Sequence, residues 1–558
     1  MPVRQQFISS AVLLAVCCFL QLKARAQSSC EDLAQVALPH ATVTLAQSIP
    51  AGPFTPLPAP KHMSGQAENG FVGLSFELPA FCKVTGVIKP SSDSEIRFEL
   101  WLPTKNWNGR FQQEGNGGYA GLIPYWALIP ALRQGYATAA TDDGHTGGGP
   151  PTWAIGHPEK VIDFGYRAVH ETAGISKTLL RAFYGNPERY SYFIGCSDGG
   201  REALMEAQRF PDDFHGILAG APANYWTDLF AGFVWNGRAF LDNSGSYIPP
   251  AKLPLLQNGA LAACDEADGV KDGILADPLS CRFDPAKLKC IGAENTNCLT
   301  ASQVDAAKKI YAGPRNPRTG KQIFPGFEPG DEAGRGGWAP WITGPEPGKS
   351  LAYFFAATFF ADMVFGDPKW GIASFDFDKD IAVAESKVGA ILNAENPDLR
   401  SFQKHGGKLI QYHGWADYAI PPRSSVQYFD SVAVALGGAD KIQNFYRLYL
   451  VPGLEHCSSG PGPTTFLGPY QIQPSQDGAE HSLVPRDPGH DMITALEHWV
   501  ERGVAPSKVV ATKYVDDKPE KGADRTWLLC PYPMKARWDG KGNWKQSSSY
   551  TCEQRKER

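Results

Sequence analysis

The feature that most constrains the fold is an apolar run that ends in a serine flanked by glycines. Residues 191–195 lead into Cys196-Ser197-Asp198-Gly199, and a helix-forming stretch follows. This is the G-x-S-x-G pattern in a strand–turn–helix context, where a sharp turn exposes a nucleophilic serine. Glycine is needed on both sides because larger side chains would collide with the strand or the helix. The pattern predicts that Ser197 is a nucleophile, and it leaves Cys196 directly before it to be explained.

Strand and helix patterns alternate on both sides of this turn, which predicts an α/β fold with a mostly parallel sheet. Residues 27–90 are predicted to be loops with short strands, because prolines interrupt them. The other predicted strands are 95–102, a short strand ending before Gly115, 136–141, the strand before Ser197, 216–220, 408–413 and 444–451. The predicted helices are 161–184, the stretch after Ser197, 422–436 and a final helix at about 487–503.

The pattern changes between residues 226 and 400, where the chain is helical and loop-rich, with many Gly, Pro and Trp residues at 325–350. A long segment without strand patterns inside an alternating sequence is typical of an insertion that covers a site. We therefore predict an α/β-hydrolase catalytic domain formed by residues 27–225 and 401–558, with a lid domain at 226–400.

The first 26 residues have the features of a signal peptide. Arg4 gives a positive start, residues 8–22 are apolar, and Ala24-Arg25-Ala26 fits a cleavage site. We therefore expect a secreted or periplasmic protein that is not anchored in a membrane, because no later stretch is long and apolar enough to span one. A net charge of −5 over 558 residues gives no indication of nucleic-acid binding.

A serine nucleophile needs a general base, and the chain offers twelve histidines. His456 follows the predicted strand 444–451, whereas His413 lies inside a strand and His498 inside a helix. Asp417 follows the preceding strand, so the order is serine, aspartate, histidine, as in α/β-hydrolases. We predict that His456 is the base and that Asp417 orients it and stabilises its imidazolium form.

The cysteines around these residues predict a disulfide between the two loops. Cys457 directly follows His456, just as Cys196 directly precedes Ser197, so contact between serine and histidine brings both sulfurs within reach. Two of the twelve cysteines lie in the predicted signal peptide, and an even number in an exported chain favours disulfides over metal thiolates. Spacing alone leaves the pairing of the other eight open.

Two groups of backbone and acidic residues are further candidates. The backbone N–H of Asp198 and a glycine of the loop Gly115–Gly118, most simply Gly118, are predicted to form an oxyanion hole; the alternative is a flexible turn. Within residues 264–274, carboxylates and backbone carbonyls suit a hard cation such as calcium, and the alternative is a solvated acidic turn. The predicted calcium ligands are Asp265, Asp268, Asp272 and the carbonyls of Val270 and Ile274.

Together these residues resemble the tannase and feruloyl esterase family, whose members carry a Cys-Ser … Asp … His-Cys arrangement, here Cys196-Ser197, Asp417 and His456-Cys457. The resemblance extends from Cys30 to Cys552. It implies a structural calcium ion in the lid and no organic cofactor. It also implies the disulfides Cys30–Cys82, Cys196–Cys457, Cys264–Cys281, Cys290–Cys298 and Cys530–Cys552.

The resemblance implies a secreted serine carboxylesterase whose substrates are small aromatic esters or phenolic esters of plant cell walls. The positions that match the family's acyl pocket are Trp226, Trp341, Ala419 and Ile420. Our main hypothesis is hydrolysis of hydroxycinnamic esters, and the first alternative is hydrolysis of galloyl esters by a tannase. A terephthalate monoester hydrolase is disfavoured because no arginine lies between Arg335 and Arg400 to hold the free carboxylate. A non-catalytic binder of plant phenolics is the remaining alternative.

Overall fold

A nine-stranded sheet organises the computed structural model, which describes residues 28–56, 74–471 and 479–555. The predicted signal peptide lies outside these residues. The strands of the described residues are β1 Ala41–Ile49, β2 Gly52–Phe54, β3 Phe76–Leu78, β4 Phe81–Ile88, β5 Ile96–Pro103, β6 Arg110–Glu114, β7 Ala137–Thr141, β8 Tyr190–Cys196, β9 Gly216–Gly220, β10 Lys408–Gly414, β11 Tyr446–Val451, β12 Val509–Tyr514, β13 Ala523–Leu529, β14 Met534–Trp538 and β15 Tyr550–Gln554.

Helices surround this sheet and fill the long segment between β9 and β10. The α-helices of the described residues are α1 Tyr125–Arg133, α2 Pro158–Ile162, α3 Ala168–Tyr184, α4 Asp198–Arg209, α5 Trp226–Leu241, α6 Leu253–Cys264, α7 Ala301–Ala312, α8 Leu351–Thr358, α9 Asp380–Ala384, α10 Ala390–Leu392, α11 Arg400–Lys404, α12 Arg423–Leu436, α13 Ala439–Ile442 and α14 Met492–Arg502. Single π-helical turns adjoin several of them, for example at Phe359–Phe365.

The order of strands in the main sheet is β1-β4-β5-β7-β6-β8-β9-β10-β11. The run from β7 through β11 is parallel, and β1, β4 and β5 add an antiparallel edge. The carboxyl ends of β8, β10 and β11 therefore meet at one edge of the sheet. Ligand sites of open α/β sheets form at this edge. The predicted α/β-hydrolase fold is confirmed, and the parallel strands lie where the sequence pattern predicts them.

Strand β8 is buried on both faces, as expected for a central parallel strand covered by helices on each side. Phe193 packs into the core formed with Leu179 of α3 and Phe429 of α12. Tyr192 points to the opposite face, where Trp499 of α14 is buried. Buried residues pack against β8 on both faces of the sheet, and the turn that contains Ser197 begins at the end of this strand.

The ends of the chain differ from the sequence-based expectation. Strand β1 is nine residues long rather than short, but none of its residues is fully buried, so its apolar signal is weak. Helix α14 begins at Met492 and is followed by the hairpins β12–β13 and β14–β15, which were not predicted. Strand β14 has no fully buried residue, so apolar and polar residues alternate poorly along it.

Residues 226–400 contain no strand of the main sheet, and every residue of this segment is described. Aromatic residues of this segment are buried together: Phe230 lies 4.6 Å from Phe359 and Phe360 lies 4.7 Å from Phe375, measured between ring centroids. The same buried cluster contains Phe164 and Ile420 from outside the segment, so the segment packs against the rest of the protein through a shared apolar core. Among the described residues, no helix has the length and apolar character needed to cross a membrane.

Five disulfides join the ten described cysteines, in the pairs that the family resemblance implies. Cys196–Cys457 closes the longest loop. These two cysteines are 261 positions apart in the sequence, and their Cα atoms are 6.0 Å apart. Cross-links that close long loops restrict the unfolded chain most. This bond joins the turn after β8 to the loop after β11.

The turn between β8 and α4 is sterically tight. Ser197 has φ +67° and ψ −120°, outside the regions that most non-glycine residues occupy. A β-carbon at Gly195 would lie 2.3 Å from the carbonyl oxygen of Gly199. The strand and the helix can approach this closely only because both positions lack side chains.

We predict that Gly195→Ala lowers the free energy of unfolding by about 3 kcal/mol or more, because backbone rather than a flexible side chain must move. The matched control is Gly174→Ala in α3, where no described atom lies within 4 Å of the added carbon. The control should gain up to about 1 kcal/mol from helix propensity. Urea unfolding with the disulfides intact measures both variants, and equal stabilities would contradict this account of the turn.

Candidate active site

The three predicted catalytic side chains lie in a continuous line of hydrogen bonds. His456 Nε2 is 2.9 Å from Ser197 Oγ, and His456 Nδ1 is 2.8 Å from Asp417 Oδ2. Ser197 and His456 are half-buried, whereas Asp417 has no exposed surface. The serine and the imidazole are therefore open to a ligand, while the carboxylate is shielded from water, which strengthens its attraction for a protonated ring.

Asp417 is held by four donors. Its Oδ1 accepts hydrogen bonds from the backbone N–H groups of Ala419 at 2.8 Å and Ile420 at 2.9 Å. Its Oδ2 faces both His456 and His413. Burial alone would raise the pKa of this carboxyl, but the charge of His456 and the bonds from both rings hold it well below its usual range. Asp417 is therefore ionised whenever the protein is folded and near neutral pH.

The disulfide between Cys196 and Cys457 lies beside these contacts. It joins the residue before Ser197 to the residue after His456, so the two loops that carry the serine and the ring cannot separate. Cys457 has φ +61°, an uncommon conformation for a non-glycine residue, like Ser197 at the other end of the contact. The geometry agrees with the sequence argument that paired these two cysteines.

The glycine-rich loop after β6 is fixed to the start of α4. The carbonyl oxygen of Asn116 accepts from Gly199 N–H at 2.9 Å, and Asn116 N–H donates to Glu202 at 3.0 Å. These bonds hold Gly118 in a turn with φ +61°. The N–H of Asp198 belongs to the first turn of α4, where backbone donors have no acceptor within the helix. The N–H of Asp198 therefore lies on the residue that directly follows Ser197, and the part of Gly118 in an oxyanion hole stays a prediction.

Asn116 and Glu202 position this loop, a role that was not predicted from the sequence. Asn116 is buried, and its side-chain amide donates to Thr141 O at 3.1 Å and to Asp143 at 3.0 Å. Glu202 is also buried, although it follows the serine in a helix that could have been taken as solvent-facing. The available signal was a charged pair, Arg201-Glu202, directly after the glycines of the turn.

Buried charges around α4 are balanced within the protein. Arg201 is fully buried and contacts Asp198 at 2.6 Å, and its other nitrogens donate to the carbonyls of Phe164 and Gly165. Burial, opposed by Arg201, raises the pKa of Asp198 to about 7. Burial and the Glu202 carboxylate raise the pKa of Asp143 well above its usual value. The network behind the turn therefore carries little net charge.

Aromatic residues of the segment 226–400 lie over the serine and histidine. The Trp341 ring meets the His456 ring edge-on with centroids 5.5 Å apart, and Phe355 stacks on Trp341 at 6.4 Å. A β-carbon on Gly118 would lie 3.6 Å from the Phe355 ring, which places that ring at the glycine loop. Trp341 and Phe355 are both half-buried. Phe355 was missed because its proximity depends on how α8 packs.

The other three predicted pocket residues are more deeply buried. Trp226 is 2% exposed and stacks on Phe230 with centroids 4.7 Å apart. Ala419 and Ile420 are also buried, and their backbone N–H groups bind Asp417, as described above. These residues pack in the same apolar cluster, behind the aromatic surface formed by Trp341 and Phe355. Their predicted contact with a substrate stays a prediction.

The acidic loop at 265–274 has the oxygen donors that calcium prefers. Asp265 accepts from the backbone N–H groups of Asp272 at 3.3 Å and Gly273 at 3.0 Å, and Asp268 accepts from Val270 at 2.9 Å. Asp272 also contacts the Arg525 guanidinium. Three carboxylates face one guanidinium, so the loop keeps an excess of negative charge. The donor set fits a hard cation.

Two other groups of three potential ligands converge more tightly, within 4.8 Å, in the described part of the chain. One is Asp143, Asp198 and Glu202, whose hydrogen bonds and contact with Arg201 are given above. The other joins His170, Glu206 and Asp213, in which His170 Nδ1 is 2.6 Å from Asp213. His170 also stacks on Phe210 with ring centroids 3.8 Å apart, so it packs within the protein.

Comparison with known proteins agrees with the resemblance stated above. A family model described as tannase and feruloyl esterase matches residues 82–553. An uncharacterized esterase of Xanthomonas campestris pv. campestris is 42% identical over 554 residues, which cover 95% of this chain and 92% of that protein. A probable feruloyl esterase B-2 of Aspergillus flavus is 35% identical over 453 residues, which cover 79% of this chain and 81% of that protein.

A solved structure gives the same result for the fold. The crystal structure of feruloyl esterase B from Aspergillus oryzae superposes with a TM-score of 0.81 at 29% identity, covering 94% of this chain and 99% of that one. The match includes both the sheet and the inserted segment, because so little of either chain is left out. The chain therefore belongs to the tannase and feruloyl esterase family of carboxylic ester hydrolases.

Proposed function

We propose that this protein is a secreted serine esterase that hydrolyses esters of hydroxycinnamic acids. The observation that carries the proposal is the line of contacts from Ser197 through His456 to Asp417. Such a line is what a weakly nucleophilic alcohol needs in order to attack an ester carbonyl. The half-buried Trp341 and Phe355 beside it add an aromatic surface for an aromatic acid.

The chemistry follows from the two nitrogens of one ring. His456 Nε2 accepts the Ser197 proton as Oγ attacks the carbonyl carbon, and the ring then donates that proton to the leaving alcohol. Water repeats the cycle on the acyl-enzyme, with His456 again as the base, and releases the acid. Asp417 stays ionised throughout and stabilises the imidazolium, in keeping with its four hydrogen-bond donors.

The negative charge that develops on the carbonyl oxygen would be met by the backbone N–H groups of Asp198 and Gly118. Backbone donors serve this purpose well because they are already oriented and need no reorganisation during the reaction. Asn116 and Glu202 support this assignment, since their hydrogen bonds fix the glycine loop against α4. The N-terminal end of α4 adds its partial positive charge at the same place.

Two considerations favour hydroxycinnamic over galloyl esters. The chain is at least 30% identical to relatives named as probable feruloyl esterases, including the Aspergillus flavus protein. The surface near the serine is formed by apolar rings rather than by hydrogen-bonding groups that would match three phenolic hydroxyls. A tannase that hydrolyses galloyl esters is the alternative, because the family model covers both activities.

We also propose that the loop at 265–274 binds a structural calcium ion. Asp265, Asp268, Asp272 and the carbonyls of Val270 and Ile274 would supply hard oxygen ligands to it. The ion would offset the excess carboxylate charge of the loop, which Asp272 separately joins to Arg525 of β13 through an ion pair. Its role would be in stability, because the loop contributes no group to the line of contacts at Ser197.

Export is proposed from the predicted signal peptide and is supported by the five disulfides, which form in oxidising compartments. The expected partners are small aromatic esters or phenolic esters of plant cell walls, with no nucleic acid. The proposed lid at 226–400 would exclude water from the ester, as Trp341 from this segment contacts His456.

Replacing Ser197 with alanine should lower kcat for methyl ferulate by about 10⁴-fold or more, because the nucleophile is lost. The matched control is Ser401→Ala, an exposed serine of α11 remote from these contacts, which should keep full activity. Steady-state assays with both purified variants make the comparison. Substantial turnover by the Ser197 variant would remove it as the nucleophile.

A substrate panel separates the two candidate activities. Methyl ferulate and methyl caffeate should have a kcat/KM at least about tenfold above that of methyl gallate, because flat apolar rings favour the longer, less hydroxylated acyl group. The opposite preference would assign the protein as a tannase. Failure to hydrolyse any of the three esters would favour a non-catalytic binder.

Trp341→Ala should lower kcat/KM for methyl ferulate about tenfold, the effect of losing roughly 1.4 kcal/mol of aromatic contact. Hydrolysis of methyl propionate should change much less, since this ester presents no ring. Trp341→Phe, which keeps an aromatic face, should recover most of the loss. An equal loss for both esters would mean that Trp341 positions His456 rather than binding the acid.

Removal of calcium with EGTA should lower the melting temperature by about 5 °C or more, as expected for loss of a well-saturated site. Asp268→Asn should melt early and respond no further to EGTA, whereas Asp440→Asn, an exposed aspartate of α13, should respond like the wild type. Calcium readdition should restore the wild type. A melting temperature indifferent to EGTA, with no calcium found by elemental analysis, would remove the site.

A further inference from the structure

A second histidine, His413, contacts the same oxygen of Asp417 that binds His456. His413, at the end of β10, is fully buried, and its Nε2 is 3.2 Å from Asp417 Oδ2 and 3.0 Å from the carbonyl oxygen of Ile420. A carbonyl oxygen can only accept a hydrogen bond. Nε2 of His413 must therefore carry a hydrogen, and that hydrogen is shared between Ile420 and the carboxylate.

The other ring nitrogen of His413 contacts Ser425. Nδ1 is 2.7 Å from Ser425 Oγ, and the same hydroxyl accepts from Gln411 Nε2 at 2.6 Å. Because Ser425 already receives the amide hydrogen of Gln411, its own hydrogen is free to be donated to His413. Nδ1 is then an acceptor without a hydrogen, and the ring is neutral.

The chain of bonds continues to Tyr446 on β11. Its hydroxyl donates to Gln411 Oε1, which leaves the Gln411 amide nitrogen to face Ser425. Tyr446, Gln411, Ser425 and His413 are all fully buried, so no water competes for these bonds. The direction of donation is the same along the whole chain of bonds, from Tyr446 towards Asp417.

From this chain we infer that His413 is a positioning residue, a neutral imidazole held as its Nε2–H form so that it donates to the Asp417 oxygen that also binds His456. The inference rests on the proposed roles of Asp417 and His456. Its chemical consequence concerns the basicity of His456. A carboxylate that already accepts a hydrogen bond from His413 attracts the His456 proton less strongly. The hydrogen bond from His413 therefore weakens the hold of Asp417 on a proton at His456, which favours that ring as a base.

Other titratable groups near these rings do not account for such an effect. Tyr412, on the same strand, lies near Asp417, but burial raises its pKa well above the usual value, so it stays uncharged. Glu455 directly precedes His456, but its carboxylate accepts from Gly336 at 2.8 Å and faces Asp331 in the lid segment. His413 is the titratable side chain that shares an Asp417 oxygen with His456.

The direction of the expected pH effect follows from this geometry. Removal of the His413 donor leaves Asp417 more attractive to the His456 proton, so the pKa of His456 in the free enzyme rises. The acid limb of kcat/KM reports that pKa. His413→Phe, which keeps a ring without a donor, should move the acid limb upward by about one pH unit. His413→Gln, whose amide can donate from a similar position, should move it back towards the wild-type value.

The profiles are measured with p-nitrophenyl acetate, so that the result does not depend on which aromatic acid the protein prefers. His498→Phe on α14 is the matched control and should leave the profile unchanged. An acid limb that stays in place in His413→Phe, or moves down, would overturn the inference even if stability falls. If the wild type hydrolyses no ester at all, it is the proposed function that fails, since no profile exists to compare.

A measurement on the unmodified protein covers the case in which His413→Phe fails to fold. Nitrogen chemical shifts of ¹⁵N-labelled histidines distinguish a ring nitrogen that carries hydrogen from one that does not. One buried histidine, identified by its loss in His413→Gln, should show protonated Nε2 and bare Nδ1 at neutral pH. A hydrogen on Nδ1 at neutral pH would contradict the direction of the chain and with it the inference.

Discussion

The disulfide between Cys196 and Cys457 is the constraint on which the rest of the site depends. Ser197 and His456 lie on loops that follow β8 and β11, and two strands, β9 and β10, lie between these strands in the sheet. The bond fixes the distance between the two loops, with Cα atoms 6.0 Å apart. Because it encloses residues 226–400 in one covalent loop, rearrangements of that segment need not disturb the contact of serine with imidazole.

Hydrogen bonds near this disulfide hold Asp417 and the glycine loop in place. Asp417 receives hydrogen bonds from two backbone groups and two rings, and the glycine loop is bound to α4 through Asn116 and Glu202. Such networks are rigid when every member has a partner and costly when one is missing. The strained backbone at Ser197 is stable in this setting because the groups on both sides of it are held in place.

The sequence was sufficient to predict the parallel strands near the site, the chain order of the three catalytic candidates and the cysteine pair. These depend on strand ends and on neighbours in the chain, and both are local features. It was not sufficient for Phe355, whose place beside Gly118 follows from the packing of α8, or for His413, which the strand pattern only marks as buried. The hairpin β14–β15 was missed because its residues are too exposed to alternate clearly.

The central claim is that Ser197 forms a covalent bond with the acid of the substrate. Rapid acid quenching of the enzyme with methyl ferulate, followed by peptide mass spectrometry, tests it most directly. We expect a feruloyl group on the peptide that contains Ser197, appearing within the first turnover and decaying as substrate is used up. Ferulic acid released at the full rate with no acyl group on this peptide, or with the group on another residue, would contradict the account.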